Sequence, residues 1–345
     1  MNKRLGAIAV LVAAIAAATG LFASTSRSAP KAQLTIGLIL QGPGSPTAPE
    51  EEAGAQSAAA ALGDRLVITE NASDPSTQIS AINSLVAQHV AAIAVSTDQG
   101  PATIKQILPA LARARAAGIP TLSFEQRYPG SVWVNQSGPT QYADALADAL
   151  ASQMHDRGRY VIVPCRPAES IVRTWLEAAK AYIPRRYPRM HRVAVIYGGT
   201  GNGAAGTLVL RPVLKKYPHL RGFIFLCPSE SYTGPPQLAH AHLIGKVFSA
   251  GNGADCPPLY VAYANSVRAG SAEMVCGGDP THLGYLTIWA ADHLATGHTL
   301  TLSPGSYDVG GPVGTVRYYS QNEELRLGQP LTITKANLDQ YGISR

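Results

Sequence analysis

Aromatic residues are scarce in this chain, 7% of 345, and charged residues make up only 14%. Few aromatics leave a core built mainly from Ala, Val, Leu and Ile. The low charged fraction, set against 46% hydrophobic residues, excludes an intrinsically disordered chain, which needs high net charge and few apolar side chains. Cysteine occurs four times and never as CxxC, which excludes a ribbon-type zinc site. After residue 23 no apolar run approaches the length that spans a bilayer. The net charge is +6, yet the lysines and arginines are dispersed along the chain. The clustered basic face that nucleic acid requires is not visible, so no nucleic-acid partner is expected. No Ser/His/Asp set, phosphate-binding loop or suitably spaced metal-ligand pair occurs, so the expectation is no catalysis, no metal and no cofactor. With 345 residues the chain exceeds what one hydrophobic core usually spans, and two lobes are expected.

The N-terminus reads as a separate segment. Asn2-Lys3-Arg4 precedes an apolar run from Leu5 to Ala23, and small polar residues follow from Ser24 to Ala29. A basic start, an apolar middle and a small-residue exit make an export signal over 1–29. The alternative is a retained membrane anchor, because the run is nearly as long as a spanning helix; its alanine richness favours cleavage. No cysteine lies near the exit, so lipid anchoring there is not expected. Export makes disulfides possible. Cys165, Cys227, Cys256 and Cys276 allow three pairings or four free thiols, and the sequence does not choose.

Beyond residue 32 short apolar runs alternate with stretches of helical spacing. Gln33–Leu40, Leu66–Thr69, Ala91–Ser96, Thr121–Phe124 and Val132–Asn135 read as strands. Glu51–Leu62, Thr77–Gln88 and Ile104–Ala116 read as the helices between them. The pattern restarts with helix Tyr142–Met154 and strand Tyr160–Cys165, and ends with strand Ala272–Cys276 and helix Leu283–Ala295. Between these, helices are expected at Ile171–Tyr182, Thr207–Lys216, Pro235–Leu243 and Leu259–Ala269, and strands at Arg192–Tyr197, Gly222–Cys227 and Lys246–Ala250. Such alternation gives an α/β fold: two doubly wound parallel-sheet lobes joined by a hinge. The expected division is 30–134 plus 279–309 for the first lobe, and 135–278 plus 310–345 for the second. Ligands of open parallel sheets bind beyond the C-terminal strand ends.

Several stretches carry a family likeness in their order and spacing: Ile36–Gly44, Gly54-Ala55-Gln56 through Leu62-Gly63, Gln78–Ser96, Ala117-Gly118-Ile119-Pro120 with Ser123-Phe124-Glu125, Val134-Asn135-Gln136, Gly245-Lys246-Val247, Asp279–Tyr285 and Leu331–Gly342. The chain resembles the solute-binding proteins of bacterial ABC sugar importers, the ribose/galactose type with the type I periplasmic binding fold, nearest to the rhamnose-binding and autoinducer-2-binding branch. The resemblance implies a periplasmic, monomeric receptor that closes on a sugar-like ligand and delivers it to an ABC permease. A sensory protein of the same fold, presenting ligand to a membrane receptor, is the alternative; neighbouring permease and ATPase genes, or a histidine kinase gene, would separate the two.

A sugar presents neutral hydroxyls, each donor and acceptor, and needs carboxylates, amides and Arg or Lys at strand ends. The resemblance places Gln41 where the branch often has a ligand-bonding Lys, and Glu125 where the family has an Asp. Gln126 and Arg127 follow it. Arg173 matches a sugar-binding Arg of ribose-type members, and Asp279 matches a contact at the second crossover. Pro228, Ser229 and Asn252 are weaker candidates. Each also has a plainer reading as a solvated loop residue, and Asp279-Pro280 reads equally as a helix N-cap followed by Pro at the first helical position. The family's stacking aromatics are replaced by Thr47 and Ala48, the branch's Asp-Gln pair by Ile171 and Val172, and the aromatic before the crossover acid by Gly278. Arg127, Arg166 and Arg173 make the cleft mildly basic. The expectation is a sugar or sugar acid other than rhamnose or autoinducer-2.

Three motifs are declined. Gly201–Gly206 fits GxGxxG but lacks the acidic partner of a dinucleotide site. His240 and His242, two apart on a helix, point to different faces. Asn71-Ala72-Ser73 and Asn135-Gln136-Ser137 are formal glycosylation sequons read as coincidence.

Overall fold

The computed structural model describes residues 32–41, 47–71, 74–96, 101–164, 170–198, 205–253, 256, 259–341 and 343–344. The expected signal segment, Arg166, Cys165 and most of the GxGxxG stretch lie outside the described residues.

The first lobe opens with β1 (Thr35–Gln41), α1 (Ala48–Leu62), β2 (Arg65–Asn71), α2 (Pro75–Ala87), β3 (Ala92–Ser96), α3 (Pro101–Ala116), β4 (Thr121–Phe124) and β5 (Val132–Asn135). β1, β3, β4 and β5 are apolar on both faces, the signature of parallel strands covered by helices on each side. One face packs α1 through Ala55, Ala58 and Ala59; the other packs α2 and α3 through Ile82, Leu85, Ile107 and Leu111.

The second lobe follows as α4 (Pro139–Met154), β6 (Arg157–Val163), α5 (Ser170–Arg186), β7 (Arg189–Val195), α6 (Ala205–Lys216), β8 (Leu220–Phe225), α7 (Pro228–His240), β9 (Phe248–Asn252), β10 (Leu259–Tyr260), α8 (Val261–Arg268) and β11 (Ala272–Cys276). The chain then returns through α9 (Pro280–Thr296), β12 (Gly305–Asp308), β13 (Thr315–Tyr319) and β14 (Glu324–Arg326), and ends with β15 (Leu331–Ile333) and β16 (Ile343–Ser344). The sheet orders are β12-β13-β14-β5-β4-β3-β1-β2 and β15-β11-β9-β8-β6-β7, with β10 and β16 paired separately.

This topology corrects the expected division. β13 and β14, within 310–326, complete the first sheet, where β14 pairs in parallel with β5. Only β15 and the residues after it belong with the second lobe, where β15 runs antiparallel to β11. The short tail strands lack the long apolar runs by which the earlier strands are read. The helix expected at Pro235–Leu243 begins instead at Pro228 and carries Pro235 and Pro236 inside it. Proline at the first helical position costs nothing, because that N–H has no intrahelical partner.

Helix α9 lies against α1 at a spacing only glycine allows. A β-carbon on Gly54 would sit 1.8 Å from the Thr281 carbonyl oxygen, and one on Gly284 would sit 1.9 Å from that of Glu51.

The lobes are joined by three adjacent crossings: 136–138, 277–279 and 327–330. The Leu327 amide donates to the Asn135 carbonyl at 2.7 Å and the Gly328 amide to that of Gln136 at 2.9 Å. Gly278 packs on the Leu327 and Gln136 side chains. Beside them the buried Glu324 carboxylate receives the Asn135 amide at 2.7 Å and the Arg326 guanidinium at 2.9 and 2.8 Å. Arg326 reaches on to Gln141 Oε1 of α4 at 3.1 Å and lies 4.3 Å over the Tyr319 ring. Burial pulls its pKa down, but the hydrogen bond and charge of Glu324 outweigh that and raise it. Asn135 is thereby buried and engaged, which is incompatible with its use as a glycan acceptor.

Candidate functional site

The C-terminal ends of β1, β3 and β4 are neighbours in the first sheet, and each contributes one polar side chain. Glu125, the residue after β4, accepts on Oε2 from Gln41 Nε2 and from the buried Ser96 hydroxyl, the latter at 2.9 Å. Two residues 84 apart in sequence, each expected to bind ligand, are therefore brought together. Ser96 was missed by sequence reasoning, although its place at the end of the Ala91–Ser96 run was the available signal.

Glu125 is held in an unusual backbone conformation. Its φ is +62°, a left-handed value that costs a non-glycine residue about 1–2 kcal/mol. The turn is closed by the Gln126 amide on the Phe124 carbonyl at 2.8 Å, and the Trp133 indole donates to the Glu125 carbonyl at 3.2 Å. Strain of this kind is retained where the surroundings over-determine it, commonly at ligand sites. Gln126 is half-buried beside it. Arg127 turns away: its guanidinium pairs with Glu323 at 3.4 Å, Arg127 being exposed and Glu323 half-buried.

In the second lobe the C-terminal strand ends carry the remaining candidates. Arg173, in the first turn of α5, is exposed. Pro228 opens α7 with Cys227 as N-cap. The Ser229 hydroxyl donates to Glu230 Oε2 at 2.6 Å. Glu230 is fully buried, its Oε1 has no hydrogen-bond partner, and Gly198 lies directly on its carboxylate. Asn252 serves the frame: its Oδ1 lies 2.5 Å from the Tyr142 hydroxyl and its amide donates to the Leu226 carbonyl at 3.0 Å. The Tyr142 ring in turn lies tilted against that of Trp175, with their centroids 4.8 Å apart. Asp279 caps α9, accepting from the Thr281 amide at 2.8 Å. Glu230 was not anticipated, and nor was Tyr197. That residue follows β7 and is 46% exposed, an unusual state for a large ring.

Two of the cysteine positions are settled by a bond. Cys256 and Cys276 form a disulfide with a Cα–Cα distance of 5.2 Å, joining the segment after β9 to the end of β11. Cys227 is also disulfide-bonded. The free-thiol reading therefore fails for these three, and the Cys256–Cys276 bond fastens the C-terminal edge of the second sheet. Thr47, at the position expected to lack a ring, is buried at the start of α1, and Val172 is buried in the α4–α5 core. Among the described residues no group of three His, Cys, Asp or Glu side chains is placed to hold a metal, and no helix is long and apolar enough to cross a membrane.

The geometry has close counterparts. A sugar ABC transporter protein from Actinomyces odontolyticus superposes with a TM-score of 0.77 at 21% identity, covering 89% of this chain and 97% of its own. A solute-binding protein from Clostridium phytofermentas with bound L-rhamnose gives 0.67 at 22%, covering 90% and 98%. One from Actinobacillus succinogenes with bound D-allose gives 0.69 at 17%, covering 90% and 100%. At these identities the likeness is one of fold. No curated protein matches the sequence. A family model described as a periplasmic binding protein domain matches residues 36–299. Two open, predominantly parallel sheets, a three-stranded hinge and that match together make the chain a member of the periplasmic binding protein family.

Proposed function

We propose that the protein captures a monosaccharide, or a related polyol or sugar acid, between its lobes and hands it to an ABC transporter permease. The observation that carries this reading is the Gln41–Ser96–Glu125 cluster. Three polar side chains converge at adjoining parallel strand ends, the edge at which such sheets bind ligands. A carboxylate fed by an amide and a hydroxyl accepts strongly from a sugar hydroxyl, while the amide and hydroxyl retain capacity for a second one. Glu125, Gln41 and Gln126 act from the first lobe. Arg173, Pro228 and Ser229 act from the second, with Tyr197 supplying the ring that Thr47 and Ala48 do not. Asp279 combines a cap with a contact, whereas Arg127 and Asn252 support the frame.

Proteins of similar fold hold L-rhamnose and D-allose, which supports the ligand class. The protein acts as an exported, periplasmic monomer without catalysis, its 1–29 segment serving as the signal. A thermal-shift screen of neutral and acidic monosaccharides, followed by calorimetry on the hits, tests the reading. At least one sugar should stabilise the wild type, and Glu125→Ala should abolish that shift. A screen in which no monosaccharide stabilises the protein would overturn it.

A further inference from the structure

Folding gathers basic residues that lie dispersed along the sequence. Between residues 155 and 221 there are thirteen Lys and Arg against three Asp and Glu, so this stretch alone exceeds the net +6 of the whole chain. β8, β6 and β7 are consecutive in the second sheet and parallel, so their first residues lie at one end. That end is opposite the strand ends that carry the candidate site. Arg157 is the register partner of Arg189, and Arg159 of His191. Arg221 follows Leu220, the partner of Arg159, and lies 5.7 Å over the Phe248 ring. Helices α5 and α6 finish at the same end with Arg185-Arg186 and Lys215-Lys216.

Arg157, Arg159, Arg189 and Arg192 are exposed, and among the described residues none forms an ion pair. The acids nearby are few: Asp148 and Asp156 line a recess with Arg186 and Arg189, and Asp148 already accepts from the Tyr187 hydroxyl at 2.8 Å. Asp144 feels the charge of Arg185. Two structural needs account for part of this array. Cations in the last turn of α5 and α6 complement the helix dipoles, and charges on β7 guard an edge strand. Neither need covers Arg157, Arg159 and Arg221, which stand on interior strands.

We propose that this pole of the second lobe is a docking surface for a linear polyphosphate chain, a flexible polyanion of phosphate groups without nucleobases. Arginine predominates over lysine here, and its planar fork matches phosphate oxygens bidentately. A polymer, rather than a lipid surface, fits the position. A membrane bound at this pole would turn the ligand edge away from a membrane-embedded permease, whereas a soluble polymer leaves both the cleft and the delivery faces free. That choice of partner rests on the delivery reading above.

The test uses the mature chain and linear inorganic polyphosphate as probe, followed by fluorescence anisotropy. Binding should weaken at least tenfold between about 50 and 200 mM salt, as counterion release requires. Arg157→Glu with Arg189→Glu should weaken it at least tenfold further, and Arg157→Gln with Arg189→Gln by an intermediate factor. Lys105→Glu with Lys335→Glu, two exposed lysines elsewhere, should bind as the wild type does. All three variants should keep the wild-type thermal shift with sugar, which separates a failure here from a failure of the sugar reading. The proposal is overturned if the wild type does not bind polyphosphate or if the Arg157/Arg189 variants bind as well as wild type. Preference for phosphatidylglycerol vesicles or for duplex DNA over polyphosphate would overturn the choice of partner.

Discussion

The side-chain amide of Asn135 donates to the buried carboxylate of Glu324 at 2.7 Å, tying the first crossing between the lobes to the third. The same carboxylate holds Arg326, whose guanidinium extends to Gln141 on α4. One acidic group therefore connects the end of β5, the end of β14 and the first helix of the second lobe. Removing it leaves a largely buried cation without its counter-charge and takes one of the two acceptors of the Asn135 amide, the Ser137 carbonyl remaining. Glu324→Ala should cost about 3 kcal/mol of stability, the usual loss when one partner of a buried pair is deleted. Denaturant unfolding of the variant reads this directly, and a loss below 1 kcal/mol would show that the cluster is dispensable.

The glycine contacts between α1 and α9 give a second expectation. Gly54→Ala and Gly284→Ala each place a methyl group against a backbone carbonyl that cannot swing aside. Each should destabilise by about 1–3 kcal/mol through overpacking, read as a fall in Tm. Gly63→Ala, whose β-carbon meets nothing but whose φ is +75°, should cost about 1 kcal/mol by strain alone.

Histidines occupy left-handed positions just beyond several helices: His89 after α2, His155 after α4, His242 after α7 and His298 after α9, with φ between 50° and 55°. Glycine is the residue that fits there without a β-carbon penalty. His89→Gly and His155→Gly should each stabilise the protein by about 0.5–1 kcal/mol, the strain relief exceeding the added entropy of the unfolded chain. A rise of a few degrees in Tm for the double variant would confirm this, and a fall would contradict it.

Burial raises the pKa of the Glu273 carboxyl in β11 to about 7. The folded protein then binds a proton that the unfolded chain releases near its ordinary pKa of 4.5. Stability should therefore fall as pH rises from about 4.5 to 7, and the deficit should persist above pH 7. Because the side chain is partly solvated, the contribution is discounted to about 1 kcal/mol. Glu273→Gln should be the more stable protein at pH 8 and no different at pH 4, as measured by urea unfolding at each pH.

The fold was largely legible because its strands are continuous apolar runs and its helices follow at regular intervals. Thr121–Phe124, Val132–Asn135 and Ala272–Cys276 appear at the expected residues. β12 to β16 were not legible. They are two to five residues long, too short for a period to show, and their sheet membership depends on the crossing after Arg326. For the site, the family resemblance pointed to Gln41 and Glu125, but their mutual hydrogen bond depends on the sheet order. Arg127 and Asn252 could not be assigned from sequence because their partners, Glu323 and Tyr142, lie 196 and 110 residues away. The basic pole escaped for the same reason: three separate segments supply it, and only the parallel register aligns them.

The most direct test of the central claim is titration calorimetry of the mature protein with a panel of neutral and acidic monosaccharides, repeated on Glu125→Gln. One or more sugars other than L-rhamnose should bind the wild type, and Glu125→Gln should weaken each by at least about tenfold, the loss expected for a charge-assisted hydrogen bond. Tight binding of L-rhamnose alone, or sugar binding that Glu125→Gln leaves unchanged, would contradict it.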